Sequence, residues 1–161
     1  MATAEHHLSH YDPTSVPSGA GRRFALVVSE WNREVTDALR AGARETLLRH
    51  GVKEADILET WVPGSFELAL GAQLLLEQEA LDGVICLGSV VRGETPHFDF
   101  VCQGATQGIM AVGLKFSLPV IFGLLTDDTM QQAKDRSGGK HGNKGVDCAV
   151  AVLKMAALKN R

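Results

Sequence analysis

The chain has 161 residues, of which 45% are hydrophobic, and a formal net charge of -3 at pH 7. This length suffices for one domain with its own core, and the balanced charge, without a block of Lys and Arg, argues against nucleic acid or an anionic membrane as the main partner. No apolar run approaches the roughly 18 residues of a membrane span and no signal-peptide pattern is present, so we expect a cytoplasmic protein.

The amino-terminal residues 1–21 are rich in Ser, Gly, Pro and His and offer little to bury. We therefore expect a flexible segment unless another surface orders it. Its histidines, His6, His7 and His10, are interpreted as solvated rather than metal-binding. From residue 22 to residue 161, strand and helix patterns alternate, which indicates a single domain.

Apolar runs predict four strands, at 24–28, 57–62, 84–87 and 120–125. Helices are predicted at 35–49, 66–79, 96–116, 129–136 and 146–158, with a glycine-rich link at 138–145 before the last one. Strands that alternate with helices require a parallel sheet covered on both faces. The fold class is therefore α/β, a three-layer α/β/α arrangement around a four-stranded parallel sheet.

The segment 87–99, which leaves the third predicted strand, is the most informative part of the chain. Thr95 is predicted to cap the next helix, with Pro96 as its first residue. The free N–H groups and the positive dipole end of such a helix start favour an anion. His97 follows in the first turn, and a histidine with a pKa of about 6.5 can both give and take a proton near neutral pH. An anion site beside a proton shuttle indicates a phosphorylated small-molecule substrate.

Residues that follow the other strands are further candidates, because ligands bind outside the carboxyl ends of parallel strands. Trp31 offers a flat face for a heteroaromatic ring, or is a half-buried packing residue. Glu67 either offsets a helix dipole or accepts hydrogen bonds from ligand hydroxyls. Arg136 is either a solvated charge or, with its planar fork, a phosphate ligand.

Other familiar motifs are absent or better explained otherwise. The glycines at 138–145 lack the Gly-Lys-Ser/Thr pattern of a phosphate-binding loop, and bulky Trp31 and Arg33 replace the glycines of a dinucleotide fingerprint. The pair Asp127-Asp128 precedes Thr129 and is predicted to cap a helix rather than to bind a metal.

The three cysteines, Cys86, Cys102 and Cys148, are far apart and each lies among apolar residues. An odd number at such spacing favours reduced, buried thiols over disulfides or metal ligands.

Five ordered motifs from about residue 23 onward resemble those of the lumazine synthase family. They are Trp31-Asn32, Val62 to Glu67, Gly88 to Asp99, Pro119 to Thr126, and Arg136 to Gly145. The resemblance implies a flavodoxin-like fold. It also implies condensation of 5-amino-6-(D-ribitylamino)uracil with 3,4-dihydroxy-2-butanone 4-phosphate, with neither a metal nor an organic cofactor.

The same resemblance assigns roles to individual residues, with His97 as the catalytic proton-transfer residue. The residues that match the pyrimidine-binding positions are Trp31, Ser65, Phe66, Glu67, Ser89, Val90, Val91 and Phe122. Those that match the phosphate-binding positions are Glu94, Thr95 and Arg136. Glu94 stands where family members often carry a small residue, and a carboxylate would repel phosphate. We therefore expect only its backbone N–H to bind, with the side chain turned away.

Family members form pentamers whose sites lie between adjacent subunits, which implies that Phe122 and Arg136 face a neighbour's pocket. Residues 18–22 are expected to pair with a neighbour's sheet. Independently, the helices at 97–116 and 146–158 are too apolar to face water all round, which indicates subunit contacts. The link at 138–145, without an evident insertion, favours a sixty-subunit icosahedral shell over a decamer or a free pentamer. Riboflavin synthase is a candidate further partner.

Two other classes of function are weighed against this enzyme. One is a binding or shell-forming protein that kept the scaffold and lost the chemistry, and the joint presence of His97, Arg136 and Glu67 argues against it. The other is a flavodoxin-like electron carrier, which would need a phosphate loop after the first strand and would carry bound flavin.

Overall fold

A central sheet of four parallel strands organises the molecule, of which the computed structural model describes residues 7–159. The strands are β1 (Phe24–Ser29), β2 (Ile57–Val62), β3 (Gly83–Val91) and β4 (Val120–Asp127), in the order β2-β1-β3-β4. This is the flavodoxin-like order, in which β2 lies on one side of β1, and β3 and β4 lie on the other side. The predicted parallel sheet is confirmed.

Within residues 7–159, five α-helices cover the sheet on both faces. They are α1 (Arg33–Arg49), α2 (Leu68–Gln78), α3 (His97–Phe116), α4 (Met130–Arg136) and α5 (Lys144–Lys159). Alternate residues of β1 enter different cores: Leu26 packs in the cluster with α1 and α5, and Val27 in the cluster with α2 and α3. All of β1 is buried, as expected for the interior of a parallel sheet. The three-layer prediction is therefore confirmed.

The third and fourth strands extend beyond the apolar runs that predicted them. Their ladder continues through the pairs Ser89 with Leu125, Val90 with Thr126, and Val91 with Asp127. Backbone hydrogen bonding carries the strands past the point where hydrophobicity ends. The segments that leave β3 and β4 consequently start side by side.

Two predicted helix caps are wrong. The cap position of α3 is Pro96, not Thr95, and no side-chain hydrogen bond caps it. Asp127-Asp128 does not cap α4, because Asp127 still belongs to the β4 ladder. The cap is Thr129, whose hydroxyl oxygen accepts a hydrogen bond from the Gln132 N–H at 3.2 Å.

The glycine-rich link forms a small antiparallel hairpin of β5 (Ser137–Gly139) and β6 (Gly142–Asn143), which the sequence pattern did not predict. Gly138 and Gly142 have φ values of 125° and 81°, a conformation that favours glycine. The Asn143 side chain donates to the Ala38 carbonyl at 2.8 Å. That bond fixes the hairpin on α1.

The part of the amino-terminal segment that the structure describes, residues 7–21, lies against the chain's own surface. The Leu8 N–H donates to the His141 carbonyl at 2.7 Å, and Tyr11 and His50 are hydrogen-bonded through their side chains at 3.1 Å. Val16 is buried in the α1/α5 core. The surface that orders these residues therefore includes α1 and the hairpin. Met1 to His6 lie outside the described residues.

The thiols follow the burial predicted for them in two cases of three. Cys86 and Cys148 are buried and Cys102 is half-buried, and all three are free. Burial raises the pKa of the Cys86 thiol, and it raises that of Cys148 to about 12. These two side chains are protonated packing residues at neutral pH.

None of the helices in the described part of the chain is both long and apolar enough to cross a membrane. Within residues 7–159, no three His, Cys, Asp or Glu side chains are grouped so that they could hold a metal ion.

Candidate active site

A pocket of about 610 Å³ opens at the carboxyl ends of β1 and β3. Nine of the twelve residues that the sequence predicted for the site line it: Trp31, Ser65, Phe66, Glu67, Ser89, Val90, Val91, Thr95 and His97. They come from three separate stretches of chain, at the ends of β1, β2 and β3. The topology of the sheet brings these stretches together, since each follows or ends a parallel strand.

The end of β1 supplies an aromatic face to the pocket. The Trp31 side chain is 71% exposed, so the alternative that it is a packing residue of this chain does not hold. The next residue, Asn32, has φ 57° and ψ 47°, a left-handed conformation that few residues other than glycine adopt. Its amide donates to the Ser89 carbonyl at 2.9 Å and so ties the end of β1 to the end of β3.

A single 3₁₀ turn, Ser65–Glu67, carries the second stretch of the site from β2 into α2. Phe66 is 60% exposed, and Glu67 is half-buried at the pocket wall. Ser65 is buried against β3 at Gly88, where an added Cβ would lie 2.7 Å from the Ser65 hydroxyl oxygen. A residue without a side chain on β3 therefore lets this turn approach the sheet closely.

The turn from β3 into α3 supplies the third stretch. His97 is exposed at the first position of α3, where no side-chain hydrogen bond caps the helix. The N–H groups and positive dipole end of such a helix start favour an anion. Arg92 holds the turn in place: its guanidinium lies 2.9 Å from the Asp128 carboxylate and 3.3 Å from that of Asp99. Glu94 is exposed and is not among the residues that line the pocket, in line with the expectation that its side chain turns away.

Several lining residues were not predicted. Phe100 and Val101 belong to α3 and lie three and four positions after His97, so they share its face of the helix. Helical spacing from His97 is the signal that would have found them. Gly93 and Phe98 also line the pocket, one on each side of the histidine's turn.

Two predicted site residues lie elsewhere in the single chain. Phe122 lines a second pocket of about 670 Å³ between α3 and the edge strand β4. Arg136 lines neither pocket and ends α4 beside Asp127. Among the described residues, no Lys or Arg lines the first pocket, although a phosphate there would call for a cation. In the single chain, Phe122 and Arg136 therefore lie apart from the other predicted site residues.

Three known proteins to which this chain is similar share one name. A family model described as 6,7-dimethyl-8-ribityllumazine synthase matches residues 21–160. A protein of that name from Porphyromonas gingivalis is 54% identical over 99% of this chain and 99% of its own length. Relatives with the same name from Phocaeicola vulgatus (52% identity, 100% of this chain, 96% of theirs) and Parabacteroides distasonis (55%, 96% and 97%) are similar throughout. The matched range includes every element that builds the two pockets.

Proposed function

Since the chain belongs to the 6,7-dimethyl-8-ribityllumazine synthase family, we propose that the pocket at the carboxyl ends of β1 and β3 is where it carries out the family's reaction. The chain is a transferase. It condenses 5-amino-6-(D-ribitylamino)uracil with 3,4-dihydroxy-2-butanone 4-phosphate to give 6,7-dimethyl-8-ribityllumazine, phosphate and water, the penultimate step of riboflavin biosynthesis. The convergence of nine predicted residues on one pocket is the observation that carries the assignment of the site.

The pyrimidine substrate lies against the exposed ring of Trp31, with Phe66 as a second apolar surface. Both rings are accessible from the pocket and neither is used to fill a core. The Glu67 carboxylate, half-buried at the wall, accepts hydrogen bonds from the ribityl hydroxyls. Backbone groups of residues 89–91 read the edge of the ring.

The phosphorylated ketone is held at the start of α3. Thr95 and the backbone N–H of Glu94 contribute to the phosphate site, and the positive end of the helix dipole favours the anion. Arg136 and Phe122 of a neighbouring chain complete the site, because the pocket has no Lys or Arg of its own among the described residues. The active site is therefore shared between two subunits.

The chemistry is a condensation of two reactive partners. The pyrimidine's amine forms an imine with the ketone and releases one water, phosphate is eliminated, and ring closure with loss of a second water completes the lumazine. Holding both substrates in one pocket lowers the barrier by up to roughly 7–11 kcal/mol. His97 moves protons during these steps, which is worth about 10²–10⁴-fold in rate.

The proposal extends to the assembly and its surroundings. Residues 22–161 form one catalytic domain, and the segment before it contributes to contacts between subunits. The chains form pentamers that close into an icosahedral shell in the cytoplasm, with riboflavin synthase as a further partner. The compact hairpin at 137–143, without an insertion, supports the shell. Light scattering that gives only a pentamer's mass in physiological buffer would contradict it.

The first experiment mixes the purified protein with both substrates and follows lumazine fluorescence above the spontaneous reaction. We expect clear acceleration, and we expect His97→Ala to lower kcat by about 10²-fold without changing the melting temperature, because the side chain is exposed. The control is His10→Ala, another exposed histidine, outside the pocket.

Wild-type kinetics in His97→Ala would refute the role of this histidine. A folded oligomer that gives no acceleration at all would instead point to a shell or binding protein built on the same scaffold.

A further inference from the structure

Asp127 is an acidic residue in an unusual place, at the buried carboxyl end of β4. It is 5% exposed and pairs in the ladder with Val91. Its backbone carbonyl accepts a hydrogen bond from the Arg92 N–H at 2.9 Å, where the chain turns from β3 towards α3. Its ladder partner Val91 lines the first pocket, and its chain neighbours Thr126 and Asp128 line the second.

The carboxylate of Asp127 is incompletely satisfied by the chain itself. One oxygen lies 3.6 Å from Nη1 of Arg136, and within residues 7–159 no other Lys or Arg forms an ion pair with it. The other oxygen is buried without a hydrogen-bond partner in the described structure. Burial raises the pKa of Asp127, while Arg136 acts against that rise. A buried charge with so few partners costs stability, so its presence calls for a reason other than folding.

If Arg136 binds a phosphate, its guanidinium must be held in one orientation by other groups of the chain. It is the last residue of the seven-residue helix α4 and is followed by the Ser137–Gly139 strand of the glycine-rich hairpin. Its side chain is 36% exposed. Nη1 donates to the Gln132 carbonyl at 3.0 Å and faces Asp127, whereas Nε and Nη2 make no hydrogen bond within the described residues. The two unused nitrogens form one edge of the guanidinium fork, which suits two phosphate oxygens.

We propose that Asp127 is a positioning residue that holds Nη1 of Arg136, so that Nε and Nη2 are presented to the phosphate of the ketone substrate. The inference rests on the phosphate role proposed above for Arg136. Asp127 does not touch substrate; it restricts the rotamers of a long side chain at the end of a short helix.

Two other roles for Asp127 make different predictions. If the carboxylate only stabilises the end of β4, Asp127→Asn lowers the melting temperature and raises both Michaelis constants. If it chiefly neutralises Arg136, Asp127→Asn lowers the KM for the phosphorylated ketone. Positioning predicts a higher KM for the ketone, an unchanged KM for the pyrimidine and no loss of thermal stability.

The expected sign of the stability change follows from the raised pKa. Because the folded-state pKa lies above the unfolded value, the favourable contribution of the protonated form is present below the unfolded pKa and is lost as pH rises through the folded pKa. The ionised carboxylate therefore costs stability, and the isosteric amide, which carries no charge, removes that cost. Arg136 keeps contact with solvent, so it is not left as a buried, unpaired charge. The melting temperature of Asp127→Asn at pH 7 should equal or exceed that of the wild type.

The test is a double-mutant cycle on the assembled enzyme with Asp127→Asn, Arg136→Ala and both together. For each we measure the KM of both substrates, the inhibition constant of inorganic phosphate and the melting temperature. The matched control is Glu79→Gln, which removes the carboxylate paired with Arg23 far from both pockets. We expect Asp127→Asn to raise the ketone KM and the phosphate inhibition constant about fivefold, and to have no further effect once Arg136 is alanine.

The outcomes distinguish the proposed phosphate role of Arg136 from the proposed positioning role of Asp127. If Arg136→Ala leaves the ketone KM and phosphate inhibition unchanged, the proposed phosphate role of Arg136 is wrong, and the positioning role falls with it. If Arg136→Ala weakens both but Asp127→Asn does not, or if the two effects simply add, the positioning role alone is overturned. A lower melting temperature with both KM values raised would also overturn it, in favour of a structural role.

Discussion

At the scale of single residues, two glutamates show that location decides what a carboxylate does. The resemblance placed both in the binding site. Glu67 sits in the 3₁₀ turn before α2 and lines the pocket half-buried, whereas Glu94 is exposed on the turn before α3 and does not line it. A side chain that lines the pocket can contact the ligand, while one that points to solvent leaves only its backbone N–H for that purpose.

The same substitution at both positions tests this difference. We expect Glu67→Gln to raise the KM for the pyrimidine about tenfold, because hydrogen bonds to a charged group are worth about 1.5–3 kcal/mol. Glu94→Gln should change the KM for the phosphorylated ketone by less than about twofold, because the backbone N–H is unaffected. Steady-state kinetics with each substrate varied in turn decides the matter. Equal effects of the two variants on either KM would contradict the assignment.

Part of the pocket could be predicted from the residues themselves, because the rule that ligands bind outside the carboxyl ends of parallel strands needs only the order of elements. Trp31 and His97 were placed in this way, and helical spacing from His97 would have added Phe100. The resemblance to the family implied most of the other lining residues. Other features depend on which strands become neighbours. The bond from Asn32 to Ser89 spans two such strands, and the burial of Asp127 depends on its ladder with β3. No local pattern encodes either one.

At the scale of elements, hydrophobic runs identified the four strands of the sheet, and helix start and stop signals identified the five α-helices of the described residues, but neither signal found where some of them end. The last residues of β3 and β4 are held by their mutual ladder, which continues beyond the apolar residues. Because Asp127 belongs to this ladder, the cap of α4 is Thr129 and not the predicted pair Asp127-Asp128. The β5–β6 hairpin escaped prediction because its strands, Ser137–Gly139 and Gly142–Asn143, are too short for an alternation pattern.

Close packing of the Ser65–Glu67 turn on β3 makes a testable prediction at Gly88. A Cβ there would lie 2.7 Å from the Ser65 hydroxyl oxygen and 2.8 and 2.9 Å from methyl groups of Leu124 and Leu68. We expect Gly88→Ala to destabilise the protein by about 1–3 kcal/mol and to weaken pyrimidine binding, because the turn must move.

Gly93→Ala is the matched control for stability, since a Cβ at Gly93 would meet nothing within 4 Å. Its unfolding free energy should stay within about 0.5 kcal/mol of the wild type. Denaturant unfolding of both variants provides the comparison. If Gly88→Ala unfolded like the wild type, the close approach of turn and strand would not be a constraint on the site.

At the scale of the whole molecule, two features of the single chain would both be explained by a neighbouring chain. Large apolar side chains of α2 and α3 are exposed, including Leu70, Met110 and Leu114, although a water-soluble surface rarely carries so many together. The pocket, in turn, has no Lys or Arg of its own among the described residues, while Arg136 lies outside it. A neighbouring chain would cover the apolar helices and supply the missing cation in one arrangement.

This view predicts that assembly and activity fail together. Leu114, 73% exposed on α3, is a suitable position, because Leu114→Glu leaves the core of the chain untouched but places a charge on the apolar face. We expect light scattering to show a mass below that of a pentamer, and kcat per chain to fall in proportion to the assembled fraction and to recover as protein concentration rises. The control is Glu45→Lys on the exposed side of α1, which should change neither. A dispersed Leu114→Glu protein with full activity would mean that one chain holds a complete site. In that case Arg136 and Phe122 could not be acting across a subunit boundary.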